Sequence, residues 1–97
     1  MEEIIQRISE LLEKELTPAS IELNREVNRG NTVFYVKLNT QDRYIFKITD
    51  SCIEDNKGEI ILKTIKDSVI PILKENPNKK VVMKSNFSIN IQNDEQT

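Results

Sequence analysis

The sequence predicts a single α+β domain, in which an antiparallel sheet of four or five strands is packed on one face by two helices. Two segments carry apolar residues at helical spacing, and three short runs rich in β-branched and aromatic residues lie between them. A further run follows the second helical segment, so the predicted order is α-β-β-β-α-β, with one more strand if that run is a hairpin. A chain of 97 residues suits one hydrophobic core. We therefore expect one domain over residues 1–92, followed by a frayed polar tail at 93–97.

The first helix is predicted from an apolar stripe near the start of the chain. Ile and Leu residues recur there at helical spacing and project onto one side of a helix: Ile4, Ile5, Ile8, Leu11, Leu12 and Leu16. Glu2 and Glu3 favour the helix start, because carboxylates interact well with the positive end of the helix dipole. Pro18 ends the helix, since its ring disfavours helical geometry at Thr17.

Three strands are predicted between the helices. Residues 21–27 alternate between faces, as is typical of a half-buried strand, and a turn at 28–31 follows, with Gly30 able to take a positive φ. The second and third strands are predicted at 32–38 and 43–49. Both carry apolar side chains on two faces, a pattern that favours central strands covered on both sides.

The second helix contains two signals for its start and one for a break. Capping boxes begin at Ser51 and at Asn56, so the helix can start at either, and a one-turn helix followed by a main helix fits both. Pro71 lacks a backbone N–H and its ring clashes with the carbonyl four residues earlier. This predicts a kink or break near residues 67–68.

The final run, at residues 81–91, decides how the sheet ends. Its odd positions are apolar apart from Ser85, while most even positions are polar. The run is either one long strand that overhangs its sheet or a hairpin folded at Ser85 and Asn86. An overhanging strand leaves unpaired backbone groups that recruit another chain.

Apolar residues in excess of one core predict a protein interface. In one register Val33, Tyr35 and Ile45 lie on the sheet face away from the helices, and a one-residue slip replaces them by Phe34 and Val36. With the last run included, the candidate interface consists of Val33, Tyr35, Ile45, Phe87, Ile89 and Ile91. The alternative is that the last strand or a loop covers this face within the same chain.

The residue types of the chain argue against catalysis. There is no histidine, so a Ser–His or Cys–His dyad is excluded and a zinc site lacks its usual ligands. Cys52 is the single cysteine, and the acids Asp50, Glu54 and Asp55 next to it oppose formation of a thiolate. We expect Cys52 to be a small buried hydrophobe, and we predict no catalytic residue, no cofactor and no metal site. An uncharacterised enzyme is the third alternative for function.

Charge and composition indicate the class of partner. The net charge of −2 favours neither nucleic acid nor an anionic membrane, and residues 1–24 are acidic whereas residues 58–84 are basic. Lys79, Lys80 and Lys84 form one basic cluster, which makes a weak nucleic-acid-binding module the alternative function. No apolar run is long enough to cross a membrane, and a lone cysteine indicates the cytoplasm.

The favoured hypothesis is a small, non-catalytic cytoplasmic protein of regulatory, accessory or inhibitor type. It binds another protein through a sheet edge or an apolar sheet face, and a homodimer is one form of that binding. Fourteen Ile and ten Asn are typical of an AT-rich genome, and small histidine-free domains of this kind are common as accessory proteins of mobile elements.

Overall fold

A five-stranded sheet with helices on one face organises the chain, in agreement with the predicted α+β class. The structure is a computed structural model that describes residues 2–93. Its elements are α1 (Glu2–Leu16), β1 (Ser20–Glu26), β2 (Asn31–Lys37), β3 (Arg43–Thr49), α2 (Asp50–Asp55), α3 (Gly58–Thr64), α4 (Ile70–Glu75), β4 (Lys79–Met83) and β5 (Ile89–Asn93).

The sheet is mixed, so the prediction of a purely antiparallel sheet is wrong at one pair of strands. The spatial order is β1-β2-β3-β4-β5, and all neighbours are antiparallel except β3 and β4, where Phe46 lies beside Val81 in a parallel pair. The helical segment α2–α4 connects the end of β3 to the start of β4. Because this crossover carries the chain back along the sheet before β4 begins, β4 runs in the same direction as β3.

The first helix and the turn after β1 follow the predicted outline. The side chains Ile5, Ile8, Leu12 and Leu16 are buried. The helix ends before Thr17, which has a left-handed φ of 43° and donates its N–H to the carbonyl of Glu13 (3.0 Å). A 3₁₀ turn over Val27–Arg29 joins β1 to β2, so Val27 belongs to the turn and not to the predicted strand; Gly30 ends it with a φ of 66°.

The second helical region is divided, as predicted, into a short helix and a longer one. Thr49 caps α2 and its hydroxyl accepts the N–H of Cys52 (3.2 Å), so the predicted capping box at Ser51 is wrong by two residues. Asn56 ends α2 and does not cap α3, which follows Lys57. A π-helical segment, Ile65–Val69, joins α3 to α4. It contains the predicted break, and Pro71 explains it, since the missing N–H leaves the α-helical register without one hydrogen bond.

The run at residues 81–91 is a hairpin, and the alternative of one overhanging strand is excluded. The N–H of Lys84 donates to the carbonyl of Ser88 (3.0 Å) and the N–H of Phe87 donates to that of Lys84 (2.8 Å). Across the hairpin Val81 lies opposite Ile91. Asn93 is the last residue of β5, and residues 94–97 of the predicted tail lie outside the described residues.

The core lies between the sheet and the helices. The rings of Phe34 and Phe46 stack with their centroids 6.0 Å apart in the middle of the sheet, and the apolar sides of α1, α3 and α4 pack over them. None of the helices between residues 2 and 93 combines the length and the apolar character needed to cross a bilayer.

Candidate binding groove beside strand β1

The open sheet face, opposite the helices, holds three of the predicted interface residues. Phe34 belongs to the core, so Val33 and Tyr35 project to the other face, where Ile45 lies opposite Tyr35. Val33 and Ile45 are nevertheless 0 % exposed. Long polar side chains lie on the same sheet face.

Ion pairs and a cation–π contact join the polar side chains of this sheet face. Lys47 on β3 reaches Glu26 on β1 (Nζ to Oε1, 3.3 Å), so the pair spans β2. The guanidinium of Arg43 lies 5.5 Å from the ring centroid of Tyr35. Burial alone would raise the pKa of Glu26, but hydrogen bonds from Lys47 and Asn31 and the nearby positive charges lower it below its usual value. The open sheet face thus presents charged and polar groups to solvent.

The other three predicted interface residues lie on the helix side of the sheet. Phe87, in the turn between β4 and β5, and Ile89 are partly buried against the core, while Ile91 on β5 is 48 % exposed. The structure therefore does not bring the six residues into one surface.

The lysines proposed for nucleic-acid contact are also separated. Lys79 and Lys80 are adjacent on β4, so their side chains project to opposite faces of the sheet. Lys84 lies beyond the other end of β4, about 13 Å from Lys80 along an extended chain. No continuous basic patch results from these three residues.

Cys52 lies in the core and is 0 % exposed. Burial raises the pKa of its thiol; a hydrogen bond from Asn56 opposes this effect, and the charge of Asp55 adds to it. In the part of the chain that the structure describes, no group of three potential metal ligands comes together.

A groove with a volume of about 520 Å³ lies between α1 and β1. Two helices side by side cover a width of about 20 Å, whereas five strands span about 24 Å. The helix layer is therefore narrower than the sheet and leaves part of a sheet edge uncovered. Strand β1 is at the edge of the sheet, and Leu23 on its helix side is 49 % exposed. Along the outer edge of β1, no residue between 2 and 93 forms strand pairs.

The charge of this groove is predominantly negative. Its α1 wall carries Glu2, Glu10 and Glu13. Among residues 2–93 none of these carboxylates has an ion-pair partner within 4.0 Å. Arg25 also lines the groove, but its guanidinium lies 3.8 Å from Asp50 at the start of α2. The groove thus combines a half-exposed Leu floor, three carboxylates and a free strand edge.

A groove of equal volume on the other side of α1 lacks this combination. It lies between α1 and α3 above Leu11 and Leu62, and both signs of charge surround it, including the ion pair of Lys63 with Asp67 (3.6 Å). Among residues 2–93 no strand borders this second groove, so the described residues offer no strand edge there to an extended chain.

The sequence interpretation did not identify the groove beside β1, although two signals for it are present. The acids of α1 recur at helical spacing on the polar side of the helix, and Leu23 is the central residue of the first strand. Neither signal shows by itself that the two lie side by side. Comparison with known protein families, curated proteins and solved structures finds no match to this chain.

Proposed function

We propose that this chain is a non-catalytic protein-binding module that captures an extended segment of a partner at the outer edge of β1. The observation that carries the proposal is the free edge beside the groove. In strand addition, backbone hydrogen bonds supply affinity and pockets for alternate side chains supply specificity. Strand β1 has seven residues for such pairing, and the groove lies on the side to which its Leu23 projects.

The groove selects a basic segment. Alternate side chains of an added strand lie on the same face as Leu23 and project towards α1. A Lys or Arg side chain can place its methylenes on Leu23 and its charged end near Glu10 and Glu13. A segment that alternates basic and β-branched residues therefore fits both the edge and the groove.

The proposed setting is the cytoplasm. The proposed role is regulatory, because a partner whose extended segment is bound at β1 cannot use that segment to contact other molecules, and no chemical change is involved. The single, buried Cys52 supports a reducing compartment.

The test uses a fluorescein-labelled peptide of about eight residues that alternates Lys and Val, and fluorescence polarisation as the readout. A peptide that alternates Glu and Val is the matched control, since it has the same strand propensity and the opposite charge. We expect saturable binding of the Lys peptide at low salt and none of the Glu peptide.

Two pairs of variants locate the site. Glu10→Gln with Glu13→Gln should weaken binding about ten-fold, whereas Glu54→Gln with Glu59→Gln, which removes the same charge outside the groove, should not. Leu23→Asn should also weaken binding, whereas Ile60→Asn, at a residue that is likewise 49 % exposed, should not. Equal losses in the test and control variants would show that the peptide binds elsewhere.

A further inference from the structure

We infer that, in the absence of a partner, β1 pairs antiparallel with β1 of a second copy of this chain and thereby closes the proposed binding edge. The regulatory role of this pairing rests on the proposed function, because it supposes that the edge of β1 is a binding site. The structural basis of the pairing is separate, because it depends on how the residues of β1 match one another when the strand is paired with itself.

Full overlap of the two strands defines one register. Strand β1 runs from Ser20 to Glu26, so pairing all seven residues places Leu23 on the two-fold axis. The opposed pairs are then Leu23 with Leu23, Glu22 with Asn24, Ile21 with Arg25 and Ser20 with Glu26. This register opposes no like charges, and the two half-exposed Leu23 side chains cover each other on the helix side.

Neighbouring registers are disfavoured, some by opposed like charges and others because they bring unlike sheet faces together. A shift of two residues in one direction opposes Glu22 to Glu22, and in the other direction it opposes Glu22 to Glu26. A shift of one residue places the helix side of one copy against the open face of the other. In the register with Leu23 on the axis, Glu22 and Glu26 keep their ion pairs within each copy. Glu22 Oε1 lies 2.8 Å from Lys37 Nζ, and Glu26 Oε1 lies 3.3 Å from Lys47 Nζ.

The same pairing produces a ten-stranded sheet across two copies and brings their two acidic grooves to the seam. The carboxylates of Glu10 and Glu13 from both copies then repel across it, so the dimer is weak and salt does not dissociate it. A basic segment bound at the outer edge of β1 occupies the backbone groups that the second copy would pair with, so its binding competes with self-association.

The first experiment measures mass by light scattering and sedimentation, without any ligand, from about 10 μM to about 1 mM protein. We expect a shift from 11.3 kDa towards twice that mass, retained when NaCl rises from about 50 mM to about 500 mM. Asn24→Lys creates two Glu–Lys pairs per dimer and should lower Kd about five-fold, and Asn24→Glu should raise it by a similar factor. A monomer over the whole range, or equal effects of the two variants, would overturn the inference.

The second experiment tests the axis directly. Opposed residues of antiparallel strands have Cα atoms about 4.5–5.5 Å apart, within the range that a disulfide spans. Leu23→Cys should therefore oxidise to a covalent dimer, whereas Ile60→Cys, equally exposed, should not; equal yields would contradict the register. The alternating Lys and Val peptide should slow the cross-linking of Leu23→Cys. A dimer that does not bind this peptide would refute the proposed function and leave the pairing intact. A monomer that binds the peptide would refute the pairing and leave the proposed function intact.

Discussion

One amide side chain holds the β4–β5 turn against the helix layer, and its removal should loosen the far edge of the sheet. Asn56 Nδ2 donates to the carbonyl of Cys52 (2.9 Å), which closes the end of α2, and to the carbonyl of Ser85 (2.9 Å) in the turn. That turn includes Phe87 with a φ of 62°, a conformation that costs a non-glycine residue about 1–2 kcal/mol. The hydrogen bond from Asn56 to Ser85 holds the turn in place, and we expect it to offset part of the conformational cost at Phe87.

Asn76 provides a matched control within the same chain. It ends α4 as Asn56 ends α2, and its Nδ2 donates to the carbonyl of Ile72 (2.8 Å), also four residues earlier. No long-range bond of Asn76 Nδ2 accompanies this one among residues 2–93. Asn56 Nδ2 differs from Asn76 Nδ2 in its bond to Ser85 and in a longer, weaker contact with Cys52 Sγ (3.9 Å).

We expect Asn56→Ala to lower the free energy of unfolding by about 2 kcal/mol and Asn76→Ala by about 1 kcal/mol, since each hydrogen bond contributes about 1 kcal/mol net. In a domain of this size, each kcal/mol lowers Tm by about 4–8 °C. Urea denaturation followed by circular dichroism measures the first quantity, and thermal unfolding measures the second.

Hydrogen exchange separates a local effect from a global one. In Asn56→Ala, faster amide exchange than in the wild type is expected in β5 and at Lys84 and Phe87, whose N–H groups donate within the turn. The amides of β2 should remain the more strongly protected ones. Equal destabilisation by the two variants, or unchanged exchange in the turn, would refute the assignment of an anchoring role to Asn56.

Three further predictions concern single positions. Thr17→Gly should raise the free energy of unfolding by about 0.5–1 kcal/mol, because glycine adopts the left-handed φ of 43° without a Cβ clash; Thr17→Ala, which keeps the Cβ, should bring no such gain in the same denaturation assay. Glu26→Gln should cost about 1 kcal/mol at pH 7, since loss of the charge removes the ion pair with Lys47. The folded-state pKa of Glu26 is lowered, so this contribution is present above the ordinary value of 4.5 and is lost as the pH falls below it; wild type and variant should converge in acid denaturation, and a constant difference would contradict the pKa direction. Cys52→Ala should cost about 1–2 kcal/mol through lost burial and leave binding of the Lys and Val peptide unchanged; loss of binding in a folded variant would show that the thiol has a role.

The elements of the fold were predictable where one face of each is buried. The apolar stripe of α1 and the two-faced runs of β2 and β3 report burial directly, and the structure has each of them. Strand direction is different, because the side-chain period is the same in parallel and antiparallel strands. The parallel pairing of β3 with β4 depends on the path of the α2–α4 crossover, which no local pattern describes.

The hairpin illustrates the same limit. Val81 pairs with Ile91 and Met83 with Ile89, so odd positions face odd positions on both strands. This register preserves the alternation through the turn, and the sequence therefore looks like one continuous strand. The observed cap of α2 is Thr49 and not the predicted Ser51. Both residues carry hydroxyls that can cap a helix, and the position at which β3 ends selects Thr49.

The position of a binding surface on this fold depends on where the helix layer ends, and this explains why the apolar residues of the central strands were a poor guide. Val33 and Ile45 lie on the sheet face away from the helices, yet both are 0 % exposed, so neither side chain offers a surface to a partner. Exposed apolar side chains instead mark both edges of the sheet, Leu23 on β1 and Ile91 on β5. The β1 edge has the stronger case, because it has seven residues against five for β5 and a groove with carboxylates beside it. Strand addition needs both a backbone edge and pockets for side chains, and among residues 2–93 those two requirements meet beside Leu23.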